Sequence, residues 1–290
     1  METIMVRYCE IGLKSDPVRR RFEGILRRNM MDMLAGDSIE AIVTRANARL
    51  YVETDDIQGA VRSLKKVFGI ASLSVAKKCD ANLESIRQLA TAVSKEILHQ
   101  NETFAIDARR DGDNYGFTSM DIKKEVGAAV LGANPDRGIR VNLSDPDKTI
   151  FIEVRSNKAY IFTSYIRCHA GLPLGSQGRV LAFVDDDRGL ASAWLMMKRG
   201  CKVTVGGDHG LPLLKKFDPH LKKFDPERGV PGNVLGFVSG IGLEQLGTID
   251  NKGLPVFMPT IGMDDGTVDS IVSQMRADGA EAADTAFHRI

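Results

Sequence analysis

Arg109 and Arg110 close the stretch TFAIDARRD (103–111), in which Phe104, Ile106 and Ala108 alternate with Ala105, Asp107 and Arg109. Such alternation predicts a half-buried strand with two guanidinium groups at its exit. After a loop rich in Asp, Gly and Asn, Thr118 and Asp121 have capping-box spacing, and Ile122, Val126 and Val130 recur every four residues. A helix is therefore expected to start there, with Lys123 and Lys124 in its first turns. Unpaired N–H groups, the positive end of the helix dipole and four cationic side chains would make a phosphate seat. A solvated basic edge uses the same residues for solubility alone. Cys168 beside His169 pairs a nucleophile with a base, although adjacent residues of an extended segment point to opposite sides. Cys9, Cys79, Cys168 and Cys201 are far apart and form no CxxC, so no disulfide framework or metal site is signalled. His99, His209, His220 and His288 show no ligand spacing.

The elements that must carry these groups can be read in order. TIMVRYCEIGL (3–13) reads as a strand, and Lys14 to Leu34 as a helix bearing Arg19, Arg20, Arg21, Arg27 and Arg28. That arginine density fits a face against a nucleic-acid backbone or a salt-bridged surface. AIVTRANARLYVET (41–54) reads as a strand pair turning near Ala46-Asn47, followed by a short helix (57–67) closed by Gly69. A strand (71–79), a helix (83–98) with Ile86, Leu89, Ala90, Val93 and Ile97 on one face, and a hairpin around Ser156-Asn157 complete residues 1–166. Mixed strands and helices of this kind argue for a pair of α+β subdomains. Gly171 to Gly178 reads as a linker. Beyond it, VLAFV (180–184), a helix from about Leu190 to Arg199, CKVTV (201–205), VLGFV (234–238) and PVFMP (255–259) suggest a small parallel α/β sheet. The tandem LKKFDPH and LKKFDPE (214–227) carries Pro in each copy and reads as a surface insertion.

Size and composition bound the function. A chain of 290 residues with 43% hydrophobic and 27% charged residues can bury real cores in roughly two domains. The net charge of +1 conceals a basic excess before residue 180 and an acidic one after it. No long apolar run appears, and Arg7 and Glu10 interrupt the place where a signal peptide needs unbroken apolar sequence, so a cytoplasmic protein without a membrane partner is expected.

Several stretches together resemble one family, the tRNA 4-thiouridine synthetases of the ThiI type, also linked to thiamine biosynthesis. VRYCEIGLKS (6–15) resembles the opening of that family's N-terminal ferredoxin-like subdomain. FAIDARRDGDNYGFTSMDIKKEVGAAV (104–130), running on to PDKTIFIEVRSNKAYIF (146–162), resembles its THUMP domain. GLPLGSQGRVLAFV (171–184), SAWLMMKRG (192–200) and LPVFMPTIGMDDGTVDSIV (254–272) resemble pieces of its ATP-pyrophosphatase domain. The resemblance implies a ferredoxin-like subdomain over 1–75, a THUMP domain over 76–168, a linker over 169–178 and a small α/β domain over 179–290. It also implies that the first two parts grip the acceptor end of tRNA, while the third adenylates uridine 8 with ATP before a protein persulfide delivers sulfur. Arg109, Arg110, Lys123 and Lys124, with Lys14 and Arg19 as further candidates, are the expected RNA contacts, because such recognition rests on shape, phosphate and 2′-hydroxyl groups.

One departure bears directly on activity. The family's Ser-Gly-Gly-x-Asp-Ser loop falls, by position, on Val184, Asp185, Asp186, Asp187, Arg188 and Gly189. Its glycines are gone, and carboxylates stand where phosphates should sit. The same residues read equally as a turn capping a helix. SGIGLEQLGT (239–248) keeps Leu243 and Gln245 of a second family segment without its Glu, and no cysteine holds a clear persulfide position. The expected protein has a degenerate nucleotide loop, no catalytic residue of its own and no cofactor. It binds tRNA and presents it to a catalytic partner protein, with a homodimer as a further expectation. An active ATP-dependent tRNA sulfurtransferase, and a structural or dimerising protein without RNA, are the alternatives.

Overall fold

A computed structural model describes residues 2–46, 49–112, 115–245 and 253–277. The N-terminal half contains β1 (Glu2–Arg7), α1 (Asp16–Gly36), β2 (Ile42–Ala46), β3 (Arg49–Glu53), α2 (Ile57–Lys65) and β4 (Ser72–Asp80). It continues through α3 (Leu83–Ile97), β5 (Thr103–Asp111), α4 (Ser119–Ala133), β6 (Arg140–Val141), β7 (Lys148–Arg155), β8 (Lys158–Phe162) and β9 (Ile166–Arg167). The expected first strand is cut short: after Arg7 the chain turns through a 3-10 segment, Glu10–Leu13, before Pro17 opens α1.

All nine strands of this half form one sheet in the order β2-β3-β1-β4-β8-β7-β5-β6, with β9 also on β4. β4 is the seam. Its residues from Ser72 to Lys77 pair antiparallel with β1, and those from Lys77 to Asp80 pair antiparallel with β8. Strand alternation then sorts the side chains. Ile4, Val6, Leu50, Val52 and Leu73 pack under α1 and α2 with Leu26, Met30 and Leu64. Phe104, Ile106, Ala108, Ile150, Ile152 and Val154 pack under α3 and α4 with Ile86, Ala90, Val93, Ile122, Val126 and Val130. The opposite face holds Met5, Tyr51, Ala76 and Phe162 with Phe151, Tyr160 and Tyr165. Helix starts are fixed locally: Asp56 accepts from the Gly59 N–H, and Asn82 from the Ser85 N–H, each at 2.8 Å.

The C-terminal part comprises β10 (Arg179–Phe183), α5 (Asp187–Lys198), β11 (Lys202–Gly206), α6 (Leu211–Lys215), β12 (Lys222–Lys223), β13 (Val234–Val238), β14 (Val256–Phe257) and α7 (Asp265–Ala277). Its strands are parallel, in the order β12-β11-β10-β13-β14. Val180, Ala182, Val184, Val203 and Val205 pack against Trp194 of α5 and Val268 and Val272 of α7.

The Gly-rich stretch from Gly171, expected as a linker, is hydrogen-bonded to the C-terminal part: Leu172 N–H donates to Lys198 O at 3.0 Å, and Gly175 N–H to Gly200 O at 2.8 Å. One expectation is corrected here: the tandem duplication is not a surface insertion. Leu214, Phe217, Asp218 and Leu221 are buried, and Phe217 joins Phe68, His169 and Trp194 in a ring cluster with centroids 5.2–6.0 Å apart. The second copy supplies the edge strand β12 and sends Phe224 to the other face of the sheet. Asn47 of the expected turn, His288, and residues 246–248 of the second family segment lie outside the described residues.

Candidate nucleic-acid interface

The expected capping box is present. Asp121 N–H donates to Thr118 Oγ1 at 3.1 Å, and Thr118 N–H donates to Asp121 Oδ2 at 2.7 Å. The Thr118 N–H and the Thr118 hydroxyl, which donates to Asp121 Oδ2 at 2.8 Å, then Lys124 and Arg110, hold the Asp121 carboxyl below its ordinary value. The chain's own carboxylate thus sits at this helix start. Of the four cations read as one seat, Lys124 and Arg110 act on Asp121 at this helix start, whereas Arg109 leaves the other face of the sheet. Arg109 is exposed and in register with Glu153, whereas Arg110 is in register with Val154 of the helix-side core. The two arginines therefore leave opposite faces of the sheet. Lys124 is exposed, and Lys123 Nζ reaches Asp107 Oδ1 at 3.4 Å. Lys14 is exposed at the mouth of α1, where Arg19 pairs with Asp16 at 2.5 Å.

A second cluster, absent from the sequence reading, lies on the helix-free face. Glu153 is 5% exposed. Its Oε1 accepts from Arg7 Nη2 at 2.8 Å and Nε at 3.1 Å, and its Oε2 lies 3.2 Å from Arg155 Nε and 4.0 Å from Arg49 Nε. Arg7 Nη1 also donates to Ser74 Oγ at 2.9 Å, and its guanidinium carbon lies 4.8 Å from the Phe162 ring centroid and 4.6 Å from that of Tyr165. Burial raises the Glu153 pKa, but Arg7, Arg49 and Arg155 outweigh it, so the carboxyl titrates below its ordinary 4.5. Tyr51 and Tyr160 stack beside it, centroids 4.9 Å apart and 22° from coplanar. The available signal was parity: in IFIEVR, Phe151, Glu153 and Arg155 share a face, and Arg7 occupies the corresponding face of β1.

At the C-terminal end of β10, the order β11-β10-β13 puts a topological switch point beside Asp185 and Asp186. The residues matched to the nucleotide loop are only partly loop: α5 starts at Asp187, three residues earlier than periodicity predicted. Asp186 is its N-cap, with Oδ1 accepting from the Gly189 N–H at 2.7 Å. Asp187 Oδ1 lies 2.7 Å from His209 Nε2. Arg188 turns away from the aspartates and donates to Thr260 O at 2.9 Å, Met263 O at 3.0 Å and Asp265 Oδ1 at 2.7 Å. Gly240 lies so close above this turn that a Cβ there would come 2.3 Å from Gly189 N. Cys168 and His169 do not form a dyad: Cys168 borders the core under α1, while His169 lies among Phe68, Trp194 and Phe217. Cys201 is buried, which raises its pKa. Among the described residues no group of three His, Cys, Asp or Glu side chains could hold a metal ion, and no helix is long and apolar enough to cross a membrane.

The architecture is a ferredoxin-like and THUMP assembly followed by a Rossmann-like α/β region. Residues 3–74 match the ThiI ferredoxin-like domain, and residues 80–164 match the THUMP domain. The chain belongs to the ThiI-type THUMP family, the family of the tRNA 4-thiouridine synthetases. It is 38% identical over 211 residues to a protein of Methanocaldococcus jannaschii named probable tRNA sulfurtransferase, covering 70% of this chain and 54% of the relative. A protein of the same name from Methanosarcina mazei is 38% identical over 231 residues, covering 78% of this chain and 54% of its own length. The chain thus spans about half the length of these curated relatives. The crystal structure of PH1313 from Pyrococcus horikoshii superposes with a TM-score of 0.82 at 28% identity, over 95% of this chain and 100% of the other. A 4-thiouridine synthetase crystallised with RNA and ATP shares the fold, with a TM-score of 0.76 at 24% identity over 96% and 85% of the two chains.

Proposed function

We propose that this chain is a tRNA-binding member of the family whose front half holds the acceptor end and whose C-terminal domain does not adenylate. In this reading residues 1–75 and 76–168 grip RNA, 169–178 join, and 179–290 dock a separate catalytic protein or a second copy. The carrying observation is the start of α5. The N–H group of Gly189 is taken by Asp186 inside a row of three aspartates, so an incoming phosphate meets carboxylates instead of open donors. ATP is accordingly not expected as a cofactor. The rival reading, an active ATP-dependent tRNA sulfurtransferase, is favoured by the names of the relatives. RNA binding is tested by titrating the whole chain with an acceptor-stem minihelix at several salt concentrations. Affinity falling steeply with salt is the expected result; absent or salt-insensitive binding favours a purely structural protein.

A further inference from the structure

A recess lies where α1 of the front half meets the first copy of the duplicated segment and the start of β11. Met33, Val67, Phe68, Leu174 and Phe217 line it and are each no more than 6% exposed, so its apolar walls stand close together. Two opposite charges share this lining. Asp218 is 4% exposed, and its carboxylate has one hydrogen bond, from the His220 N–H to Oδ1 at 2.9 Å. Oδ2 has no partner among the described residues, and neither has the ammonium of Lys202, whose half-buried stem runs beside Gly175. At the mouth, His220 Nε2 lies 3.7 Å from Asp32 Oδ2 and so engages the other carboxylate of the lining.

The duplication shows that the turn does not require this burial. Asp225, the same aspartate in the second copy, also accepts an N–H two residues on, from Glu227 at 3.1 Å, but it is exposed and pairs with Arg228 at 3.1 Å. A buried carboxylate with a single donor is costly, and the cost is offset when a cationic group reaches its free oxygen. Lys202 lines the same recess without forming that pair. A ligand carrying both charges satisfies both groups at once. We propose that the recess binds a small zwitterion, an α-amino acid of the size of glycine or alanine. Its ammonium donates to Asp218 Oδ2, its carboxylate accepts from Lys202, and the close apolar walls exclude a long side chain. Such a site at the junction of two parts is a common place for a small-molecule ligand. Because α1 belongs to the front half and Asp218 and Lys202 to the C-terminal part, the ligand ties the two together, with or without RNA.

The test is thermal unfolding of the full chain, followed by the fluorescence of its single tryptophan, Trp194, at increasing concentrations of glycine, alanine, leucine and betaine. Glycine or alanine is expected to raise the melting temperature in a saturable way, by about 2–4 °C at roughly ten times the dissociation constant. Leucine is too long, and betaine keeps both charges but has no N–H to donate, so each is expected to give only the unsaturable rise common to excluded co-solutes. Asp218→Asn keeps an acceptor for the His220 N–H and loses the charge, and Lys202→Met removes the opposite charge. Each is expected to weaken binding by about tenfold or more, because a hydrogen bond to an ionised group is lost. Lys222→Met, on β12 and outside the lining, is expected to bind as the native chain does. Should Asp218→Asn fail to fold, Lys202→Met decides, since its side chain is only half-buried. No saturable shift with any amino acid overturns the proposal and leaves the recess to water. An equal shift from leucine, methylamine or acetate, or one that persists in the Lys202→Met chain, overturns it as well.

Discussion

Glu153 is the residue on which the front half turns. It lies in the middle of a strand, buried, with guanidinium groups from Arg7 and Arg155 in hydrogen-bonding reach. Removing its charge leaves those arginines without their shared partner, so Glu153→Gln should cost about 3–5 kcal/mol of stability at neutral pH. Its folded pKa is depressed, so its contribution is complete above the unfolded value of 4.5 and is lost as pH falls through the lower folded value. Urea titrations of native and Glu153→Gln protein should therefore differ most at neutral pH and converge well below pH 4.5; a constant difference would contradict the assignment. Asp186 makes a simpler prediction. Asp186→Ala removes the α5 cap and should cost about 1 kcal/mol, read from the same titration. Sequence spacing disclosed the Thr118/Asp121 box and the alternation of β5, but combining alternation with the double arginine should also have separated Arg109 from Arg110. The Arg7–Glu153 pair could not be found that way, because its partners are 146 positions apart and meet only across three intervening strand pairings.

At the scale of elements, β4 and the 171–178 stretch decide how the parts are joined. β4 pairs with β1 through its first six residues and with β8 through its last four, which makes two subdomains one sheet. Composition announced Gly171 as part of a tether. In the fold its φ is +77°, and a Cβ would lie 2.2 Å from Lys198 O. Gly171→Ala should therefore lower stability by more than the 1–2 kcal/mol that the left-handed conformation alone costs, measured by thermal unfolding. The duplicated segment was misread because its charge and prolines outweighed two well-spaced apolar residues. Leu214 and Phe217 are three apart at the end of α6, and Phe217 is 2% exposed. Phe217→Ala should cost about 3–5 kcal/mol, whereas a surface insertion would tolerate it within about 0.5 kcal/mol.

The whole molecule couples a nine-stranded front half to a parallel five-stranded domain through Phe68, which leaves the α2–β4 connection to pack against Trp194 and Phe217. The order of strands and helices in both halves was legible because periods of two and about four residues dominate the sequence. The state of the switch point was legible only in part: three aspartates are visible in the chain, but the direction of Arg188 and the approach of Gly240 arise from contacts 50 or more residues away. That region carries the central claim. The most direct measurement is formation of AMP from ATP by the purified full chain in the presence of tRNA. The account predicts no tRNA-dependent AMP above background under conditions where the tRNA is bound, whereas AMP that appears with tRNA and disappears in an Arg188→Ala variant would contradict it.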